Sequence, residues 1–279
     1  AVSRTSATVP KIAGKTPPSE FAARGSAVRN SFQRLRDTPA FSPSGDVRPY
    51  SASADGTMVG EGVGLLALRR LSDAERDGNR IHAVIRGLGG ASDGKGTAIY
   101  APQAEGQATA LRRAYAQAGY GPETVTLVEG HGTGTIAGDR TELEGLHKVF
   151  APDNPAPEPW CAVGSVKSQI GHTKAAAGSA SLLKVIGAIS RRVLPPTIKV
   201  DAPNPAIGPG SPFYINTSAR PWVHTPDQPR RASVSSFGFG GSNFHATLEE
   251  YRGPNATTPA RVMSHEILLF SAGSEAELA

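Results

Sequence analysis

Two short glycine-flanked segments each hold one histidine, and each lies between an apolar run and a helix-like stretch. The first is Glu129-Gly-His-Gly-Thr-Gly-Thr135; the second is Gly164-Ser-Val-Lys-Ser-Gln-Ile-Gly-His-Thr-Lys-Ala-Ala-Ala-Gly178. A strand, a sharp loop and a helix, given twice, belong to an α/β sheet. Such a sheet can aim both loop imidazoles, His131 and His172, from strand ends into one pocket. No nucleophile accompanies them, because the only cysteine, Cys161, lies in neither loop.

The rest of the chain keeps the alternation. Met58 to Leu71 reads as a buried strand broken by glycines, Ser72 to Asn79 as a short charged helix or turn, and Ile81 to Gly87 as a strand. Gln103 to Gly119 reads as a helix with Ala110, Leu111, Ala114, Tyr115 and Ala118 on one face and Gly119 as its stop. Val125 to Glu129 is a short strand delivering His131. Asp139-Arg-Thr-Glu142 fits a capping box, so a helix is predicted from there to about Val149. Pro152 to Pro159 is a surface loop. Ala162 to Val166 is a strand delivering Lys167 and His172, and Ala175 to Ile189 is an alanine-rich helix. Phe213 to Asn216, Arg231 to Phe237 and Phe244 to Glu250 read as three final strands, with one isolated strand at Glu266 to Ser271. Residues 1–30 read as a poorly ordered lead-in.

The two histidine segments have a shared chemical logic. Glycines on both sides of Thr133 let the backbone turn sharply and approach a ligand. Thr133 and Thr135 place hydroxyls on one side of an extended segment. Lys167 and His172 are followed by another helix start. Two imidazoles and an ammonium suit the stabilisation of negative charge on an oxygen, such as an enolate or a tetrahedral oxyanion. No metal is expected: there is no HExxH, and neither histidine has a carboxylate or thiolate at ligand spacing.

Composition narrows the classes. No apolar run reaches the roughly 18 residues that span a bilayer, so no membrane association is expected. One cysteine forms no internal disulfide, which fits a reducing, cytoplasmic setting. The net charge is +5, but the basic residues are scattered and not interleaved with aromatics. That argues against nucleic acid. It suits an acidic carrier protein or a phosphate-bearing substrate.

Taken together and in this order, the motifs resemble the ketosynthases of the thiolase-like superfamily, which perform decarboxylative condensation of acyl thioesters. Ser235-Ser-Phe-Gly-Phe-Gly-Gly-Ser-Asn-Phe-His245 and Asp55-Gly-Thr-Met-Val-Gly-Glu-Gly-Val-Gly64 match the same family. Lys-Ser-Gln-Ile-Gly-His-Thr-Lys and Arg-Asp-Thr-Pro-Ala-Phe41 are most similar to ketosynthases of polyunsaturated-fatty-acid synthases and iterative type I polyketide synthases. The resemblance covers about Asn30 to Tyr251. It implies a lead-in over 1–30, a partial ketosynthase domain over 31–251, and the start of a post-ketosynthase linker over 252–279.

The fold implied is α/β: a thiolase-like αβαβα layered fold, of which this chain supplies the C-terminal half plus part of the N-terminal half. The resemblance assigns His131 and His172 to the enolate formed as a malonyl thioester loses carbon dioxide, and Lys167 to holding their geometry opposite Glu142. It assigns the Phe239 backbone N–H to an oxyanion hole and its ring to gating the acyl pocket. Thr133 and Thr135 would contact the phosphopantetheine of an acyl carrier protein, with no bound cofactor. It treats Gly130, where the family usually has Ala, and Ser242, where it usually has Thr, as tolerable.

The family's cysteine nucleophile precedes all these motifs and has no counterpart here. Cys161 reads as a buried apolar residue; His82, His147, His224 and His265 read as surface residues. Expected partners are an acyl carrier protein, a cysteine-bearing ketosynthase half or a second copy, and a downstream acyltransferase domain. The alternative is a non-condensing partner subunit of the chain-length-factor kind. A half-domain would also expose apolar surface.

Overall fold

The computed structural model describes residues 40–95, 101–151, 156–225, 227–256 and residue 274. Helix α1 spans Leu71–Arg76, strand β1 Val84–Ser92, helix α2 Ala104–Ala118, strand β2 Leu127–Glu129 and helix α3 Ile136–Phe150. Then come β3 (Cys161–Gly164), the one-turn α4 (Lys167–Ile170), α5 (Ala177–Arg191), β4 (Val193–Leu194) and β5 (Phe213–Tyr214). The last are β6 (Arg220–Pro221), β7 (Arg231–Phe237) and β8 (Ser242–Glu249). Six strands form one sheet in the order β1-β8-β7-β2-β3-β5, while β4 and β6 pair separately. Strands β7, β2, β3 and β5 are parallel; β8 is antiparallel to β1 and β7.

Two-residue periodicity splits the core between the sheet's faces. On one face Val128 and Val163 pack with Leu111 and Tyr115 of α2 and Leu143, Leu146 and Phe150 of α3. On the other, Leu127 and Ala162 pack with Val185, Ala188 and Ile189 of α5. The result is a helix–sheet–helix sandwich, with the histidine loops leaving the ends of β2 and β3. Helix α2 buries the face its spacing predicts, and Gly119 ends it at φ +75° with its N–H on the Tyr115 carbonyl.

Helix α2 sits almost on the backbone of β1. A Cβ at Gly87 would lie 2.0 Å from the Ala114 carbonyl oxygen, and one at Gly89 would lie 1.9 Å from that of Ala110. These glycines look like a strand ending in the sequence. They are packing positions instead, and β1 starts at Val84 and runs on to Ser92.

Two expectations are overturned. The capping box at Asp139 is absent: α3 starts at Ile136, and its N-cap is Thr135, whose hydroxyl accepts the Gly138 N–H at 3.1 Å. Asp139 and Glu142 lie within the helix, buried, with other partners. The stretch from Met58 to Leu71 forms no regular strand; it makes one isolated bridge, Val59 to His172, and its last residue opens α1. Its Val63, Leu65 and Leu68 are 91%, 86% and 74% exposed. The alternating apolar pattern suits a strand, but no strand among the described residues lies beside it to take its N–H and C=O groups. Near its middle, Gly64 rests against Ser179 and Leu183 of α5. The lead-in over 1–30, the strand at Glu266 to Ser271, His265 and residues 152–155 of the Pro152 to Pro159 loop lie outside the described residues.

Candidate active site

Strands β2 and β3 are adjacent and parallel, so the loops that leave their ends are neighbours. The rings of His131 and His172 lie 5.3 Å apart at 81°. Phe237, at the end of β7, brings its ring 5.9 Å from that of His131. The β7–β8 hairpin turn follows at once and carries Phe239, whose side chain is mostly exposed. The structure therefore brings His131, His172 and Lys167 together, with the hairpin turn leaving from beside them.

Both imidazoles are held neutral near pH 7. Burial, then the charge of Lys167 and the second imidazole, holds His131 well below the ordinary value near 6.5. Burial, Lys167 and Lys174 push His172 down to about 4. The His172 Nδ1 accepts the Lys174 backbone N–H at 3.0 Å, so a neutral His172 carries its proton on Nε2. His131 Nδ1 is buried with no hydrogen-bond partner among the described residues. A neutral ring with Nε2–H can donate to an oxygen that gains negative charge.

Lys167 is 2% exposed. Its ammonium donates to the carbonyl of His131, not to Glu142. Burial lowers its pKa, while the charges of Glu129, Glu142 and Asp139 act the other way. Glu142 is taken by other groups: it accepts the backbone N–H groups of His131 and Gly132, each at 2.7 Å, and the Tyr50 hydroxyl at 2.8 Å. Asp139 accepts the backbone N–H of Tyr50 at 2.7 Å and of Gly134 at 3.0 Å. Burial, with the charge of Glu142 beside it, pushes Asp139 up to about 7. Two carboxylates one turn apart on α3 thus hold four backbone donors, three of them in the His131 loop. Tyr50 completes this cradle from a left-handed backbone (φ +60°), an uncommon conformation for a bulky residue.

Thr133 and Thr135 hydroxyls lie 2.8 Å apart and bond each other. Cys161 is fully buried and burial pushes its thiol up, which fits the apolar reading. His147 is partly buried instead of on the surface, bridging the Leu143 carbonyl and Ser211. Asn243 donates to Asp93, a structural role.

Sequence reasoning missed Tyr50, Asp139, Glu129 and Lys184. For Glu129 and Lys184 a signal existed. Glu129 ends an apolar strand run, where a carboxylate needs a buried partner. Lys184 interrupts the apolar side of α5. Tyr50 gave none, since its partners lie 89 and 92 residues away.

Residues 82–201 match the family described as beta-ketoacyl synthase, C-terminal domain, and residues 25–74 match its N-terminal domain. The chain belongs to the beta-ketoacyl synthase family. It is 50% identical over 254 residues to a polyunsaturated fatty acid synthase polypeptide of Thraustochytrium sp., covering 89% of this chain and 9% of that protein. It is 40% identical over 248 residues to polyketide synthase PksL of Bacillus subtilis, covering 88% of this chain and 5% of that one.

Among solved structures, the ketosynthase from module 6 of the bacillaene synthase of Bacillus subtilis matches with a TM-score of 0.75 and 42% identity, over 80% of this chain and 40% of that chain. An oxazolomycin ketosynthase domain from Streptomyces albus matches with a TM-score of 0.75 and 34% identity, over 83% of this chain and 40% of that one. This beta-ketoacyl synthase chain therefore has the α/β thiolase-like fold and spans about 40% of the solved ketosynthases it matches. Among the described residues no helix is long and apolar enough to cross a membrane.

Proposed function

We propose that this chain is the histidine-bearing part of a ketosynthase that condenses a carrier-bound malonyl unit with an acyl thioester, in polyketide or polyunsaturated fatty acid biosynthesis. The observation that carries this reading is the pair of neutral imidazoles 5.3 Å apart beside a buried Lys167. As the malonyl C–C bond breaks and carbon dioxide leaves, the electron pair moves onto the thioester oxygen. Imidazole N–H donors held in place by the loops stabilise that enolate. The enolate carbon then attacks the acyl thioester, and the tetrahedral intermediate expels the cysteine thiolate that held the acyl group. The β-ketoacyl product stays on the carrier.

His131 and His172 are the catalytic donors in this reading, and Lys167 fixes the His131 loop through its carbonyl. Phe239 gates the acyl pocket from the hairpin turn, and its N–H serves the oxyanion hole. The Thr133 and Thr135 pair contacts the phosphopantetheine of the acyl carrier protein. The domain runs over 31–251 and its linker to an acyltransferase starts at 252, in a cytoplasmic enzyme.

The nucleophile comes from a cysteine-bearing half that also covers the exposed Val63, Leu65 and Leu68 stretch. Exposed apolar residues of that size in one stretch favour such a partner. The test is light scattering and a condensation assay on this chain, alone and joined to a cysteine-bearing N-terminal ketosynthase half. The expected result is a defined complex that condenses, with little defined species from the chain alone. A monodisperse, cooperatively melting monomer that ignores the second half would overturn the reading, and favour the non-condensing partner subunit.

A further inference from the structure

We infer that Glu129 is the positioning residue that locks the two histidine loops to each other, with Lys184 as its counter-cation. The inference rests on the ketosynthase reading for its activity, but its geometry stands apart from it. Glu129 ends β2, two places before His131, and is fully buried. Its Oε1 accepts the backbone N–H of Val166 at 2.6 Å, immediately before Lys167 on the second loop. The same oxygen lies 3.4 Å from the Ser181 hydroxyl of α5. Its Oε2 takes the Lys184 ammonium of α5 at 2.6 Å, an ion pair 11% exposed on one side and 0% on the other.

One carboxylate therefore joins the first histidine loop, the second histidine loop and the helix that follows His172. Its side chain extends the strand pairing past the sheet, where the backbone continues only through Gly130 N–H to the Gly164 carbonyl. Asp139 and Glu142 cannot substitute, since their hydrogen bonds go to Tyr50 and to 131–134 and none reaches the second loop. Lys184 makes the burial of Glu129 tolerable, because a buried carboxylate without a counter-charge is strongly destabilising. Glu129 is also the first of the carboxylates whose field opposes the desolvation of Lys167.

The test compares two variants of the full chain, assembled with its cysteine-bearing half, that carry equal charge. Glu129→Gln/Lys184→Met keeps an acceptor for the Val166 N–H; Glu129→Met/Lys184→Met is nearly isosteric and lacks it. Nitrogen-15 NMR of the imidazoles and carbon dioxide release from malonyl carrier are read on both. The Gln form is expected to keep the His172 titration near the parent's value of about 4. In the Met form the loops part and the titration moves toward the ordinary value of about 6.5. Decarboxylation in the Met form is expected to fall about tenfold below the Gln form, the size of one lost hydrogen bond.

Identical titrations in the two folded variants would overturn the positioning role, even if both melt earlier. If the Met form fails to fold, hydrogen exchange in the parent decides: the Val166 amide is expected among the slow ones, and exchange at loop rates overturns the proposal. A parent that releases no carbon dioxide while the titrations still differ would sink the decarboxylation reading and leave the positioning role standing.

Discussion

Gly130 shows how closely the first histidine loop is built. A Cβ there would lie 1.8 Å from the Tyr50 hydroxyl and 2.9 Å from Oε1 of Glu142. The glycine is therefore accommodated where the family usually has alanine because Tyr50 fills the methyl's place, and alanine is not an open substitution in this chain. Gly130→Ala is expected to destabilise by about 1–3 kcal/mol, as overpacking a tight site does. Combined with Tyr50→Phe it should cost less than the two single changes added, since they act on one contact. Urea denaturation of the four proteins checks this; additive costs would mean that Tyr50 does not occupy that space. The histidines were legible because glycines and strand ends announce them locally. Tyr50 and the true roles of Asp139 and Glu142 were not, because a carboxylate one turn into a helix reads the same whether it caps its own helix or holds a distant tyrosine.

At the scale of elements, helix α2 and strand β7 were legible nearly to the residue, since α2 buries one face with an unbroken period and β7 is a short run of small and apolar residues, mostly buried on both faces. Strand β1 was misjudged because its glycines serve contact with α2 and mimic an ending. Gly89→Ala tests that contact. Its methyl would press on the Ala110 carbonyl, a backbone atom that moves only if the helix moves. The expected cost is again about 1–3 kcal/mol. Loss of amide protection should be concentrated in α2 and β1, read by hydrogen exchange. Unchanged protection there would show that the helix does not rest on this strand. The stretch from Met58 to Leu71 failed as a strand for a different reason. Its alternation records a face that needs a neighbour, and periodicity carries no information on whether the neighbour is at hand.

At the scale of the whole molecule, three layers, helices α2 and α3, the sheet, and helix α5, form a body that spans about 40% of the solved ketosynthases it matches. The motifs made the family and the fold legible. They did so because the glycine-flanked histidine segments and the glycine-rich turn after β7 carry the residue types that one loop geometry needs. What was not legible is how the site is held: Lys167 against the His131 carbonyl, and Glu129 across to the second loop. The central claim is that the paired neutral imidazoles stabilise an enolate. The most direct measurement is carbon dioxide release from a malonyl carrier by the assembled protein and by its His131→Ala/His172→Ala form. Loss of one strong oxyanion donor costs about 10²–10³ in rate, so the double variant is expected to fall at least that far while its melting stays cooperative. Release at the parental rate from a folded double variant would contradict the claim.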